Sequence, residues 1–284
     1  MLFRSTLSAI AFYIFVPALL FRTAARVDFE ALPWRTLAAF FVPASVFMLV
    51  VYGVLRAKGG GAAHSVRAIS ATFGNSVQIG VPVVSGLFGE AGLAIHITIV
   101  SLHALILLSM ATTLVELDLA RGQPSSSLRS TLVATVRNTV IHPVVLPVAA
   151  GLLFNAAGGT LPGAVDEALA LLGTAVVPLC LVLIGISLAT YVVGGRWRGA
   201  LGIGALKLLA MPALVLVFAR WGMGLTGLPL AVVVMMAANP VGNNALIFAQ
   251  RYRTLEAETT VAIVVSTIAF GASAALWLTV LSAL

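Results

Sequence analysis

Long apolar runs, separated by short polar stretches, recur from one end of the chain to the other. A helix needs about 20 consecutive apolar residues to cross the hydrocarbon core of a bilayer. Hydrophobic residues make up 61% of the 284 residues and charged residues only 9%, whereas a soluble domain has about 25% charged residues. The pattern predicts an all-α polytopic membrane protein, with residues 1–284 forming a single transmembrane domain that has the lipid bilayer as its partner.

We count nine candidate membrane spans in this pattern. They cover residues 5–24, 33–56, 66–88, 92–116, 130–154, 164–193, 199–221, 228–250 and 257–283. The connecting stretches are short and contain turn-forming residues, so no soluble domain fits between the spans. Cysteine, histidine and carboxylate residues do not cluster at metal-ligand spacing, and neither a cofactor motif nor a catalytic arrangement is recognisable. We therefore expect no metal, no cofactor and no enzyme activity.

The basic residues predict the orientation of the chain in the membrane. When the loops are assigned alternately to two sides, ten Lys and Arg residues fall on the side of the N-terminus and four on the other. Cytoplasmic loops carry the excess of Lys and Arg. We therefore expect a multi-pass protein of the cell inner membrane with a cytoplasmic N-terminus and a C-terminus outside. The net charge of +7 then reflects this orientation and does not indicate a nucleic-acid partner.

The third and eighth spans differ from the rest because each carries Asn, Gly and Pro near its middle. The third span contains Phe73-Gly74-Asn75-Ser76 and continues to Pro82, and the eighth contains Asn239-Pro240-Val241-Gly242-Asn243-Asn244. The two spans are five apart, and five is odd, so the two halves insert with opposite orientation. We expect repeat one in residues 1–116, with four of five helices, and repeat two in residues 130–284, with five. The partner of span five, which would precede span one, is expected to be missing.

The interrupted spans are the candidate site. Proline removes a backbone donor and glycine tolerates unwound backbone, so helix breaks are predicted at Gly80 and Pro82 and at Pro240 and Gly242. A broken helix in a bilayer is tolerated where it is buried in protein or lines a cavity. Matched breaks in inverted repeats indicate the binding site of a secondary transporter. The candidate substrate-binding residues are Asn75, Ser76, Gln78, Asn239, Asn243 and Asn244.

The charges within the spans favour an anionic substrate. Neither Asp nor Glu lies in mid-span, and the N-terminal ends of half-helices attract anions. Lys207 and His142 are candidate charge-balancing groups, although the Lys207 side chain could instead extend to the interface. His96 and His103 share one helical face, and we interpret them as packed or bonded within their helix. The pattern predicts a secondary transporter of small organic anions.

Several segments resemble the auxin efflux carrier family, whose bacterial members include malonate permeases. Residues 12–21 resemble a motif in the family's second helix, residues 73–82 and 239–252 resemble its two crossover helices, and Lys207 to Pro212 resembles its eighth helix. The resemblance implies ten helices in two inverted five-helix repeats, the fold of sodium/proton antiporters and bile acid transporters. It also implies a carboxylate substrate such as malonate at the crossing and, by analogy, a homodimer. By this comparison we expect the family's first helix to be missing, in agreement with the repeat count.

Two alternatives stay open at this point. The first is a sodium- or proton-coupled cation antiporter on the same fold, although such a carrier is expected to contain buried acids. The second is a membrane sensor that has lost transport. For the anion transporter, the sequence leaves open whether a proton or sodium is coupled to the substrate.

Overall fold

The computed structural model describes residues 7, 10–26, 33–57, 62–122, 145–176, 178–179, 182 and 197–284. Nearly all of this part of the chain is helical, and it contains no β-strand apart from one isolated bridge. The α-helices are α1 Val16–Ala25, α2 Trp34–Arg56, α3 Ala63–Thr72, α4 Val81–Gly122, α5 Val145–Ala156, α6 Gly163–Thr174, α7 Trp197–Ala205, α8 Met211–Val217, α9 Gly227–Ala238, α10 Asn243–Arg251 and α11 Glu256–Ser282. The π-helical turns are Ala11–Phe15, Ser76–Gly80, Leu206–Ala210 and Phe218–Gly222.

Four helical stretches among the described residues are long and apolar enough to cross a membrane. They are Trp34–Arg56, Ser76–Val115, Trp197–Gly222 and Glu256–Ser282. Tyr13–Ala25 and Gly227–Ala238 are shorter apolar helices. The predicted all-α class is confirmed. The count of nine spans stays a prediction, because the fifth and sixth predicted spans lie partly outside the described residues.

Helix α2 illustrates how such a span packs. Phe40, Ala44 and Met48 recur every four residues and are fully buried, as expected for one face of a helix. The opposite face carries apolar residues that the protein leaves exposed, namely Val42, Val46, Leu49, Val50 and Val54. A helix that is apolar on all sides is typical of a membrane span, so this outer face is suited to lipid.

A first group of helices is formed by α1, α5 and α6, in which α1 packs against both of the others. Arg22 of α1 donates two hydrogen bonds to the Asp166 carboxylate of α6, at 2.9 and 3.1 Å. The Arg26 guanidinium lies 2.6 Å from the same carboxylate. At the contact of α1 with α5, a Cβ at residue 151 would lie 2.6 Å from the Phe21 carbonyl oxygen. Glycine at position 151 therefore permits the close approach of these two helices.

The second, larger group contains the interrupted helices together with α2, α7, α8 and α11. Arg67 of α3 donates two hydrogen bonds to the Glu258 carboxylate of α11, at 2.7 and 3.0 Å. Glu258 is only 2% exposed, and a Cβ at residue 199 would lie 2.5 Å from its carboxyl carbon. The Arg67–Glu258 ion pair thus joins α3 to α11, and Gly199 of α7 leaves the space for the carboxylate.

Both predicted interruptions are present, but their positions require a correction. Helix α3 ends at Thr72, and the chain is extended at Phe73 before it resumes in the π-helical turn Ser76–Gly80. Pro82 lies in the continuous helical stretch that begins at Ser76 and directly follows the π-helical turn Ser76–Gly80, and so it does not lie at the break. Proline is tolerated inside a transmembrane helix where a local π-helical adjustment accommodates its missing N–H. The expectation that Gly80 lies in unwound backbone was also wrong, since this residue is helical.

The other boundaries of the two interrupted spans agree with the sequence. Helix α9 ends at Ala238 and α10 begins at Asn243, so Pro240 and Gly242 lie within the second break as predicted. Gly89 has φ of 61° and divides α4 by a kink. This kink falls between residues 88 and 92, where the third and fourth predicted spans meet.

Candidate functional site

The two breaks are hydrogen-bonded to each other. The Asn75 amide donates to the Pro240 carbonyl at 2.8 Å, and the Gly242 amide donates to the Phe73 carbonyl at 2.9 Å. These bonds form an isolated antiparallel bridge between Gly74 and Val241. Backbone groups that a broken helix leaves unpaired are costly in a bilayer, and here each break supplies partners for the other.

The crossing is close because both segments carry glycine. A Cβ at residue 242 would lie 2.8 Å from the Gly74 carbonyl oxygen and 2.8 Å from the Phe73 ring. A Cβ at residue 80 would lie 2.6 Å from both Asn239 Nδ2 and His96 Nε2. Gly242 therefore permits the backbones to cross, whereas Gly80 permits close packing of side chains behind the crossing.

The amide of Gln78 connects the two breaks. Asn243 Nδ2 of the second break donates to Gln78 Oε1 at 2.7 Å, and Asn75 Nδ2 of the first break donates to the same oxygen at 3.4 Å. The first bond is short and the second is near the limit of a hydrogen bond. Amides on either side of the crossing are therefore held in one small network.

Lys207 lies beside the crossing and is completely buried. Its Nζ donates a hydrogen bond to the Ala237 carbonyl, one of the last in α9. The final carbonyls of a helix lack intrahelical partners and carry partial negative charge, so the ammonium group caps this half-helix. A Cβ at residue 74 would lie 3.5 Å from Lys207 Nζ. The side chain thus points inward to the crossing and does not extend to the interface.

The backbone around Lys207 is held in place from α11. Pro212 lacks the N–H that a residue at its position would donate to the Leu208 carbonyl. That carbonyl instead accepts hydrogen bonds from Ser273 Oγ at 3.0 Å and from Trp277 Nε1 at 2.8 Å. The second break is held from the same helix, since the Val241 amide donates to Ser266 Oγ at 3.1 Å. Helix α11 therefore positions Lys207 and the second break together.

Two histidines of α4 contact the first break. His96 Nε2 lies 2.8 Å from the Ser76 carbonyl oxygen, and His103 Nδ1 lies 3.3 Å from the Ser76 hydroxyl. Both side chains are fully or nearly fully buried. The sequence interpretation placed them in helix packing, and their burial agrees with it. Their contact with Ser76 was not predicted, because the sequence alone does not show which face of α4 meets the break.

A cavity of about 30 Å³ lies at the crossing, which is room for about two water molecules. Its lining comes from both breaks and from α4, and consists of Phe73, Gly74, Asn75, Ser76, Val77, Val100, His103, Gly242, Asn243 and Asn244. The helical segments that begin at Ser76 and Asn243 both start at this cavity. The first amides of a helix lack intrahelical partners and carry partial positive charge, so two such ends meet here.

The candidate substrate-binding residues and His142 fall into three sets according to their position relative to the cavity. Asn75, Ser76, Asn243 and Asn244 line the cavity. Gln78 and Asn239 do not line it: Gln78 bridges the amides, and Asn239 is buried behind the crossing with its Nδ2 3.8 Å from the Met236 sulfur. His142 lies outside the described residues.

Long apolar helices, together with a cavity that three asparagines line between two interrupted segments, are typical of α-helical membrane transporters. A family model described as membrane transport protein matches residues 3–278. The chain therefore belongs to this family, that of the auxin efflux carriers, and the resemblance found in the crossover motifs is confirmed. The comparison with curated proteins gave no match.

Proposed function

We propose that the protein is a secondary transporter of small organic anions, specifically carboxylates such as malonate. The proposal rests on the positive electrostatic environment of the cavity at the crossing. Two helix N-termini begin there, the Lys207 ammonium lies beside it, and none of its lining residues is acidic among those described. A site of this kind stabilises negative charge.

The amides supply the complementary hydrogen bonds. Asn243 and Asn244 line the cavity from one break and Asn75 from the other, and their Nδ2 groups are donors that suit carboxylate oxygens. Polar residues within the span of a membrane protein are costly and often face a substrate pathway. We therefore assign the specificity for carboxylates to these three amides together with the ends of the two half-helices.

The small size of the cavity supports alternating access. A volume of about 30 Å³ is too small for a dicarboxylate, so a substrate enters only when the lining segments separate. We assign this movement to the larger helix group, which carries both breaks, relative to the group of α1, α5 and α6. The proposed architecture has inverted repeats in residues 1–116 and 130–284, within nine spans.

The location and the assembly of the carrier are part of the same proposal. We place it in the cell inner membrane with its N-terminus in the cytoplasm and its C-terminus outside, as the distribution of Lys and Arg favours. We further propose a homodimer that pairs through the group of α1, α5 and α6. Cross-linking in native membranes, with cysteines introduced on α1, tests this pairing.

Uptake into proteoliposomes tests the function. The purified protein is reconstituted and supplied with labelled malonate, succinate or indole-3-acetate, and we expect saturable uptake of at least one acid. Asn75→Ala and Asn243→Ala are expected to reduce that uptake at least about tenfold, since each removes a hydrogen bond to a charged group. Asn155→Ala is the matched control, because this amide lies on α5 and contacts α1. Uptake that is equal in all four proteins contradicts the site, and no uptake of any acid contradicts the function.

A further inference from the structure

The two histidines that contact Ser76 are equivalent in position but differ in their hydrogen bonding. They are seven residues apart on α4, which places them on the same helical face. The Ser76 carbonyl can only accept, so the Nε2 atom of His96 carries a hydrogen and donates it. The Nδ1 atom of His96 is buried and has no partner among the described residues. A proton added there would create a buried donor without an acceptor, which is costly, so His96 stays neutral.

His103, unlike His96, can keep its hydrogen bond to Ser76 in both of its protonation states. Its Nδ1 faces the Ser76 hydroxyl, which can donate or accept, so this bond persists whether the ring is neutral or protonated. Its Nε2 is buried without a partner among the described residues. Unlike His96, His103 also lines the cavity at the crossing. A carboxylate in that cavity would provide the acceptor that a protonated His103 requires.

The titratable side chains beside His103 in the described part of the chain are Lys207 and His96. Neither of them is an acid, and among the described residues no carboxylate lies in ion-pair contact with Lys207 to balance a positive charge. An anionic substrate would supply that balance, and each of the two ligands, proton and anion, would then strengthen the binding of the other.

Two aromatic rings pack against the His103 ring. The Phe73 ring lies 4.2 Å from the His103 ring between centroids, and the Phe40 ring lies 5.7 Å away. Aromatic faces attract cations, with a larger effect where water is excluded. Phe73 also belongs to the first break and lines the cavity, so movement of the break changes the environment of His103 directly.

We propose that His103 is the proton-binding residue of the carrier and takes up one proton when a carboxylate occupies the cavity, so that proton and anion cross together. The proton comes from the aqueous side that supplies the anion, forms an N–H bond on the imidazole, and leaves to the opposite side when the anion does. The inference rests on the proposed function, because the substrate carboxylate is the acceptor and the balancing charge.

The test measures anion flux and proton flux in the same vesicles. Proteoliposomes containing a trapped pH-sensitive dye are given a gradient of whichever acid is taken up, among malonate, succinate and indole-3-acetate. The wild-type protein is expected to move one proton inward for each anion. His103→Gln, which keeps a hydrogen-bonding side chain but cannot be protonated, is expected to lower the anion flux and to abolish the proton movement that accompanies it. His64→Gln removes a buried histidine at the start of α3 and is expected to keep the wild-type ratio.

Equilibrium binding provides a second readout. Because the protonated form favours the anion, the wild-type Kd should rise with pH, by up to about tenfold per pH unit for one linked proton. Measured on the alkaline side of the acid's own titration, the Kd of His103→Gln should be independent of pH.

Anion uptake by the wild type without proton movement, or wild-type proton coupling in His103→Gln, overturns the assignment while the transport function stands. If His103→Gln does not fold, His103→Asn, which also cannot be protonated, replaces it in both measurements. Absence of anion uptake by the wild type overturns the function itself.

Discussion

The two breaks perform the same structural task with different residues. The first runs through Phe73 and Asn75 and contacts the histidine rings of α4 at Ser76, whereas the second runs from Asn239 to Gly242 and follows the helix end that Lys207 caps. The first break continues into a π-helical turn, and the second has its proline within the unwound segment. Both nevertheless satisfy their backbone through the same reciprocal bridge.

This difference assigns separate roles to the two sides of the cavity. The Lys207 side chain caps the end of α9 before the second break, and the histidines that contact the first break each have one ring nitrogen without a partner among the described residues. A carrier with this asymmetry can bind an anion on one side and adjust its charge on the other. The following variants are designed to separate those roles.

The largest effect is expected where the two breaks cross. Gly242→Ala places a methyl group 2.8 Å from the Gly74 carbonyl oxygen, and backbone atoms cannot move aside cheaply. We expect a loss of about 3 kcal/mol in the free energy of unfolding, at the upper end of overpacking costs, together with loss of uptake. Thermal unfolding in detergent measures the first effect. Gly202→Ala is the control, since nothing lies within 4 Å of its Cβ, and a stability for Gly242→Ala equal to that control would contradict the close crossing.

Lys207→Met is expected to have the next largest effect. The substitution keeps the length of the side chain but removes the donor to the Ala237 carbonyl, and a buried acceptor without a partner costs about 1–3 kcal/mol. Anion affinity should fall by more than about tenfold, because the positive charge is lost as well. Titration with the transported acid measures the affinity. Wild-type affinity in Lys207→Met would show that Lys207 does not provide the charge that binds the anion.

A smaller difference is expected between the two asparagines that share Gln78. Asn243→Ala removes a bond of 2.7 Å and should lower stability by about 1 kcal/mol. Asn75→Ala removes a bond of 3.4 Å and should lower stability by less. Thermal unfolding of the two variants side by side measures the difference. The reverse order would indicate that the amide network is centred on the first break.

The smallest effect is expected for Pro82→Ala. Because Pro82 lies within a continuous helical stretch, directly after a π-helical turn that accommodates its missing N–H, its replacement should change the free energy of unfolding by less than about 1 kcal/mol. Uptake should be retained, and Pro240→Ala in the second break should be the more harmful of the two. A loss of uptake in Pro82→Ala that exceeds the loss in Pro240→Ala would restore Pro82 as the residue that breaks the first helix.

Much of this architecture is readable in the sequence because the bilayer imposes simple rules. Runs of about 20 apolar residues predict helices, and the mid-span clusters around Asn75 and Asn239 predict interruptions that need partners. The sequence also places Lys207 deep in an apolar span. Helical class and transporter family follow from these features.

The remaining details depend on how the helices pack. A proline signals a break only approximately, and the chain unwinds seven residues or more before Pro82. The direction of the Lys207 side chain, inward or to the interface, is set by α9 and α11, which are distant in sequence. The role of His103 likewise depends on which face of α4 meets Ser76. Spacing along one helix cannot show such contacts.

The central claim is that an organic anion binds between the two paired breaks, and ligand-induced thermal stabilisation tests it most directly. A ligand at about 100 times its Kd raises the stability of the native state by about 2.7 kcal/mol. We predict that at least one of malonate, succinate and indole-3-acetate stabilises the wild-type protein and the Asn155→Ala control. The same acid should have little effect on Asn243→Ala or Lys207→Met. Equal stabilisation of all four proteins would contradict a binding site at the crossing.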